Sequence, residues 1–201
     1  MPPTPYESRD FTRSVMEMAK LGTIPVVGPF VPEMQQTVVE AIFVAKAALL
    51  PQRKEWVTFL IDSNGGYIDM LNAIRAAMME SGLKFRGSVQ AKARSAGFML
   101  LQYCHWRVAL SNSELLFHYG GAGLWNDELS SIVEDHEYVI RYHKQRLEQM
   151  LRDVSERSGL SRETLHDLGK YQRDILAEKA LEMGLLDEVV KSVPKSEKPP
   201  A

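Results

Sequence analysis

Between residues 23 and 118 the chain alternates short apolar runs with longer stretches in which apolar positions recur every three or four residues. The first pattern reads as buried strands and the second as helices. Residues 23–31 are β-branched and broken by proline, which predicts a short strand and a turn. Residues 33–50 carry Val38, Val39, Ala41, Ile42, Val44 and Ala45 at helical spacing and end at Pro51. A strand follows at 56–61, then a helix at 67–79 closed by Gly82, a strand at 85–89, a helix at 95–103, and strands at 106–110 and 114–118. Residues 1–22 define no clear element and are expected to be flexible or to lie at the axis of an assembly. The alternation predicts an α/β fold with a largely parallel sheet. In such sheets, ligand sites gather at the carboxyl ends of the strands.

Residues 126–157 then carry one unbroken helical pattern. Leu129, Ile132, Val133, His136, Val139, Ile140, His143, Leu147, Met150, Leu151 and Val154 recur at three- and four-residue steps. Asn126 is a candidate N-cap and Gly159 a candidate stop. A helix of about 30 residues spans about 45 Å, longer than a compact domain of this size needs. It either projects, with its apolar stripe covered by a second copy, or bends across its own domain. A short helix at 161–168, a strand at 171–176, a helix at 177–183 capped by Gly184 and a strand at 185–190 complete the pattern.

The length of 201 residues suits one domain, and 45% hydrophobic residues supply a sizeable core. A net charge of -2 and the absence of a basic cluster argue against a nucleic-acid partner. The one cysteine, Cys104, excludes an intrachain disulfide and, within an apolar run, reads as a buried structural thiol. No segment is long and apolar enough to span a membrane, and the first residues lack the features of a signal peptide. A soluble, cytoplasmic protein without a membrane partner is expected, with a disordered tail at 191–201 rich in Lys, Ser and Pro.

Three segments carry candidate chemistry. Ser95 opens an apolar run within Ala93-Arg94-Ser95-Ala96-Gly97, His118 ends a strand, and Gly65-Gly66 follows another. A serine is a weak nucleophile until a base takes its proton. At a helix start its oxygen is exposed, and the following N–H groups aim at a developing oxyanion. Each residue also has a plain reading: Ser95 as an N-cap, His118 as a structural histidine, the glycines as a turn. The glycine pair is no phosphate loop, because no Gly-Lys-Ser/Thr follows it. His105, His136, His143 and His166 show no metal-ligand spacing, so no metal site is expected.

In order and spacing these segments resemble the proteolytic subunit of the Clp protease, a self-compartmentalising serine peptidase of the crotonase-like superfamily. The resemblance runs from about residue 23 to about residue 190. The family has a Pro-Gly-Gly turn and, 29 positions after its second glycine, a serine in a small-residue segment. Gly66 and Ser95 are likewise 29 positions apart. Ser111-Asn112-Ser113 resembles the family's Pro-Asn-Ser before the histidine strand, residues 126–157 its long projecting handle helix, and Gly184-Leu185-Leu186-Asp187 its closing segment.

The resemblance implies an α/β fold of repeated β-β-α units. It implies Ser95 as nucleophile, His118 as base, Gly65 in substrate binding, and the N–H groups of Gly66 and Ala96 as the oxyanion hole. It further implies an ATP-dependent type of serine endopeptidase acting on polypeptides inside heptameric rings, stacked as tetradecamers and fed by an AAA+ ATPase, with no cofactor. This sequence departs from the family at three places. Asn64 replaces the turn proline, and Arg94 is bulkier than the usual residue before the serine. The family's triad aspartate falls on Gln172, counted from Gly184 or Ser161. Asp174 lies two residues on, on the same side if the segment is a strand, and Asp167 is a further substitute. A neutral glutamine orients an imidazole without stabilising its charge. A catalytically impaired subunit or scaffold is therefore a second reading. A crotonase-like enzyme acting on an acyl thioester is a third, opposed by the Ser95 and His118 pair.

Overall fold

The computed structural model describes residues 5–119 and 126–191, with the side chains of 126–136 and 139 outside the description. The expected tail disorder falls beyond residue 191, outside the described residues.

A helix α1 at Arg9–Lys20 precedes the first strand, β1 at Thr23–Val27. The sequence pattern defines no element there. Val15 and Ala19 are buried at i, i+4 spacing, with Phe11 and Met16 packed against the core. The Ser8 hydroxyl caps the helix by accepting from the Phe11 N–H. The Tyr6 hydroxyl donates to the Pro25 carbonyl and accepts from the Val27 N–H, both at 3.0 Å, which fastens the segment to β1.

The chain then alternates as expected: α2 (Pro32–Leu49), β2 (Trp56–Ser63), α3 (Ile68–Ser81), β3 (Lys84–Arg94), α4 (Ala96–Tyr103) and β4 (Trp106–Leu110). Strands β1, β2, β3 and β4 lie in chain order, all parallel. Right-handed crossovers in a single direction place α2, α3 and α4 on one face, where α2 packs on α3 and α3 on α4. Beneath them Phe59 and Phe85 stack with ring centroids 4.9 Å apart.

Strand β3 is branched. Its residues 86–89 pair with β4, whereas 92–94 pair with β5 (Glu114–Leu116), again in parallel. Eleven residues reach across both partners because β3 runs five residues beyond the apolar stretch that announced it.

After β5 come α5 (Asn126–Ser158), α6 (Arg162–Tyr171), β6 (Ile175–Leu176), α7 (Ala177–Glu182) and β7 (Glu188–Val190). Strand β7 pairs with β4, and β6 runs antiparallel to β5. Leu151 and Val154 of α5 are buried, while Tyr138, Ile140 and Tyr142 are exposed. No helix among the described residues is long and apolar enough to cross a membrane.

The expected strand at 171–176 is corrected. Helix α6 continues to Tyr171, and Gln172 ends it in a left-handed conformation (φ 48°, ψ 45°). Only Ile175 and Leu176 are strand. The alternation that would have aligned Gln172 with Asp174 is therefore absent. The apolar spacing of Leu165 and Leu168 satisfies a longer helix, which explains the error.

The closing segment is locked by charge. Arg107 of β4, with its side chain 4% exposed, binds Asp187 through Nε at 3.0 Å and Nη2 at 2.7 Å. Its Nη1 donates to Gln102 Oε1, and Gln102 donates to the Leu185 carbonyl. Every partner of this inward guanidinium is thus an acceptor, the condition under which a buried ion pair is tolerated.

Candidate active site

Strands β2, β3 and β5 are parallel, so their carboxyl ends point the same way. Ser63 pairs with Ala93, and Arg94 with Leu116. Register therefore carries Gly65, Ser95 and His118 to one end of adjacent strands, spaced by about 4.8 Å per strand. The Ser95 N–H donates to the Leu116 carbonyl at 2.9 Å and fixes the two chain ends together.

Ser95 itself sits between β3 and α4 with φ 53° and ψ −119°. A non-glycine residue there stores strain of about 1–3 kcal/mol. Its hydroxyl makes no cap bond to α4, so the helix forgoes about 1 kcal/mol of capping. The plain N-cap reading thus fails. The sharp turn displays the Oγ at the N-terminus of α4, where the Ala96 N–H has no carbonyl of its own helix to meet.

The glycine turn is built around this serine. Ser63 donates to the Gly28 carbonyl at 2.5 Å and accepts the Gly65 N–H at 3.0 Å. Gly65 has φ 93°, and a Cβ placed on it would lie 2.5 Å from Ser95 Cβ and 2.9 Å from the Ala96 nitrogen. At Gly66 a Cβ would strike the Phe30 backbone at 2.6 Å. Glycine is required at both positions by close approach. The Phe30 N–H bonds the Gly65 carbonyl, and the Tyr67 N–H bonds the Phe30 carbonyl. In a parallel bridge of this kind Gly66 turns its own N–H the other way, toward the strand that carries Ser95.

His118 follows buried Phe117, whose ring lies 5.6 Å from that of Phe98 in α4. Burial lowers the His118 imidazole from its ordinary value of 6.5, favouring the neutral form that can accept a proton. Helix α6 closes over the next residue: the Tyr119 hydroxyl donates to the His166 carbonyl at 2.8 Å, and the ring lies against Gly169.

The candidates for the third position have other partners or face solvent. Asp174 is bound by Arg94 at 2.9 Å, and the same guanidinium nitrogen binds Glu114 at 2.7 Å. Gln172 is exposed. Asp167, on α6, is 63% exposed and faces His166. No hydrogen bond joins any of these three to His118 among the described residues. Glu114 drew no attention in the sequence, and Arg94 only for its bulk; their pairing depends on β3 branching to β5. Cys104 is buried with its thiol pushed up by burial, and it donates to the Leu100 carbonyl.

A branched parallel sheet with a strained serine beside a glycine turn defines a mixed α/β protein of the crotonase-like type. The family model described as Clp protease matches residues 7–193, and the chain belongs to that family. Membership places it with the peptidases, a class of hydrolases. No curated protein matches the chain.

Proposed function

We propose that the chain is a serine endopeptidase. Ser95 Oγ attacks a peptide carbonyl as His118 takes its proton. The Gly66 and Ala96 N–H groups receive the oxyanion, and Gly65 leaves room for the substrate backbone. His118 then protonates the leaving amine, and water releases the acyl group by the reverse sequence. The observation that carries this reading is the strained Ser95, with an uncapped hydroxyl, facing a glycine turn that tolerates no side chain. Acyl transfer of this kind needs no cofactor. The test is hydrolysis of fluorogenic peptides, present in the parent and reduced to background in Ser95→Ala and His118→Ala.

The peptidase acts within rings of seven, stacked through α5 and supplied by a separate AAA+ ATPase. Exposed Tyr138, Ile140 and Tyr142 on α5 support self-association. Sedimentation velocity tests it: a particle of many subunits is expected, and a monomer opposes it.

A second reading is favoured by one observation. Asp174 pairs with Arg94, and among the described residues His118 has no acidic hydrogen-bond partner. On that reading the chain is a weakly active or inert subunit. Assembled protein without peptide hydrolysis would support it.

A further inference from the structure

Arg94 immediately precedes the proposed nucleophile and lies opposite Leu116, two residues before His118. Buried Leu115 and Phe117 alternate with more exposed Glu114, Leu116 and His118, so these last three share one side of the chain. Arg94, in register with Leu116, shares that side. Its guanidinium spans from Glu114 on β5 to Asp174 on the α6–β6 connection, at 2.7 Å and 2.9 Å. The pair is 30–40% exposed, where ion pairs are weak and exchange readily. The Arg94 Nε is moreover buried without a partner among the described residues, a cost that weakens the arrangement further. Asp174 is thus held at the site's edge by a contact that is easily exchanged.

We propose that Arg94 is a positioning residue that holds Asp174 away from His118, so that its removal lets Asp174 complete the triad. This rests on the serine-peptidase reading of Ser95 and His118. Among the described residues, the elements around His118 bring Arg94, Glu114, Asp174, His166 and Asp167 to this end. Only Asp174 combines a negative charge, a tether short of secondary structure and a single partner. A carboxylate turned to His118 favours the imidazolium, which raises the histidine's titration midpoint and stabilises the charge formed during attack. Loss of the Arg94 charge alone also raises the midpoint, so a second substitution is needed to separate the two effects.

The test measures two quantities in the parent, Arg94→Ala and Arg94→Ala/Asp174→Asn: the rate of fluorophosphonate addition to Ser95, and the NMR titration of His118. Arg94→Gln, which keeps the stem and a donor for Glu114, repeats the series if alanine unfolds the chain. The expected result is at least tenfold faster addition and a raised midpoint in Arg94→Ala, with the rate returning to the parental level in the double variant. An Arg94→Ala rate no higher than the parent, or a gain that survives Asp174→Asn, overturns the proposal. Absence of any adduct in all variants overturns the peptidase reading instead. The latch itself is then decided by NMR, through the part of the His118 shift that Asp174→Asn removes.

Discussion

Gly65 and Ser95 approach so closely that one added methyl on the glycine would lie 2.5 Å from the serine Cβ. The contact couples two strand ends 30 residues apart in the chain. It also makes Gly65 a direct probe of how the serine is placed. Gly65→Ala must either push Ser95 out of its turn or reopen the turn itself, and φ 93° adds strain for any side chain. A misplacement of about 1 Å costs about 100-fold in rate. We expect kcat to fall by about that factor in Gly65→Ala while the protein remains folded, as measured by peptide hydrolysis beside circular dichroism. An unchanged kcat would separate the turn from catalysis.

The pH dependence follows from His118. Burial disfavours its charged form, so the folded-state midpoint lies below 6.5. The base is therefore competent down to a lower pH than an unperturbed histidine allows. The acid limb of the fluorophosphonate rate in the parent protein is expected to have its midpoint below 6.5. The stability consequence has the same sign. The unfolded state binds the proton more readily, so this histidine destabilises the fold as pH drops through its unfolded value. His118→Gln should remove that part of the acid sensitivity, read from urea midpoints across pH.

Asp187 makes an independent stability prediction far from the chemistry. Burial pushes its carboxyl up, but the hydrogen bonds and charge of Arg107, with Arg157, outweigh this and hold it below its usual range. Its contribution is present above the ordinary carboxylate pKa and is lost as pH falls through the depressed value. Asp187→Ala leaves the Arg107 guanidinium buried without its countercharge, at a cost of about 3–5 kcal/mol. Denaturant unfolding at neutral pH checks this. A loss below about 1 kcal/mol would mean that solvent or Gln102 takes over the role.

Phe98 ties α4 to the histidine segment through Phe117 and is fully buried. Phe98→Ala is expected to cost about 3–5 kcal/mol of stability. It should also slow catalysis, because the cavity opens behind the segment that carries His118. Leu71→Ala on α3, equally within the core but away from this contact, serves as the control: it should lose stability of similar order with kcat retained.

The sequence made the sheet legible because its strands are short apolar runs punctuated by Gly and Pro. The helices α2, α3 and α4 were equally clear from their spacing. Helix α1 was not, because its few buried residues, Val15 and Ala19, are interleaved with charges. The positions of Gly65, Gly66, Ser95 and His118 could be named from order and spacing. The strain at Ser95 and the contact with Gly65 could not, since both arise from strand register rather than from local composition. The third position was the least legible. It depended on whether residues 171–174 were strand or helix end, and on a guanidinium that reaches Asp174 across 80 positions of chain.

On the proposed mechanism Ser95 is an activated nucleophile. Intact-mass analysis after fluorophosphonate treatment, with Ser95→Ala in parallel, tests it most directly. One adduct per chain is expected in the parent and none in Ser95→Ala. Folded, assembled parent protein that takes up no adduct, or an adduct that persists in Ser95→Ala, would contradict it.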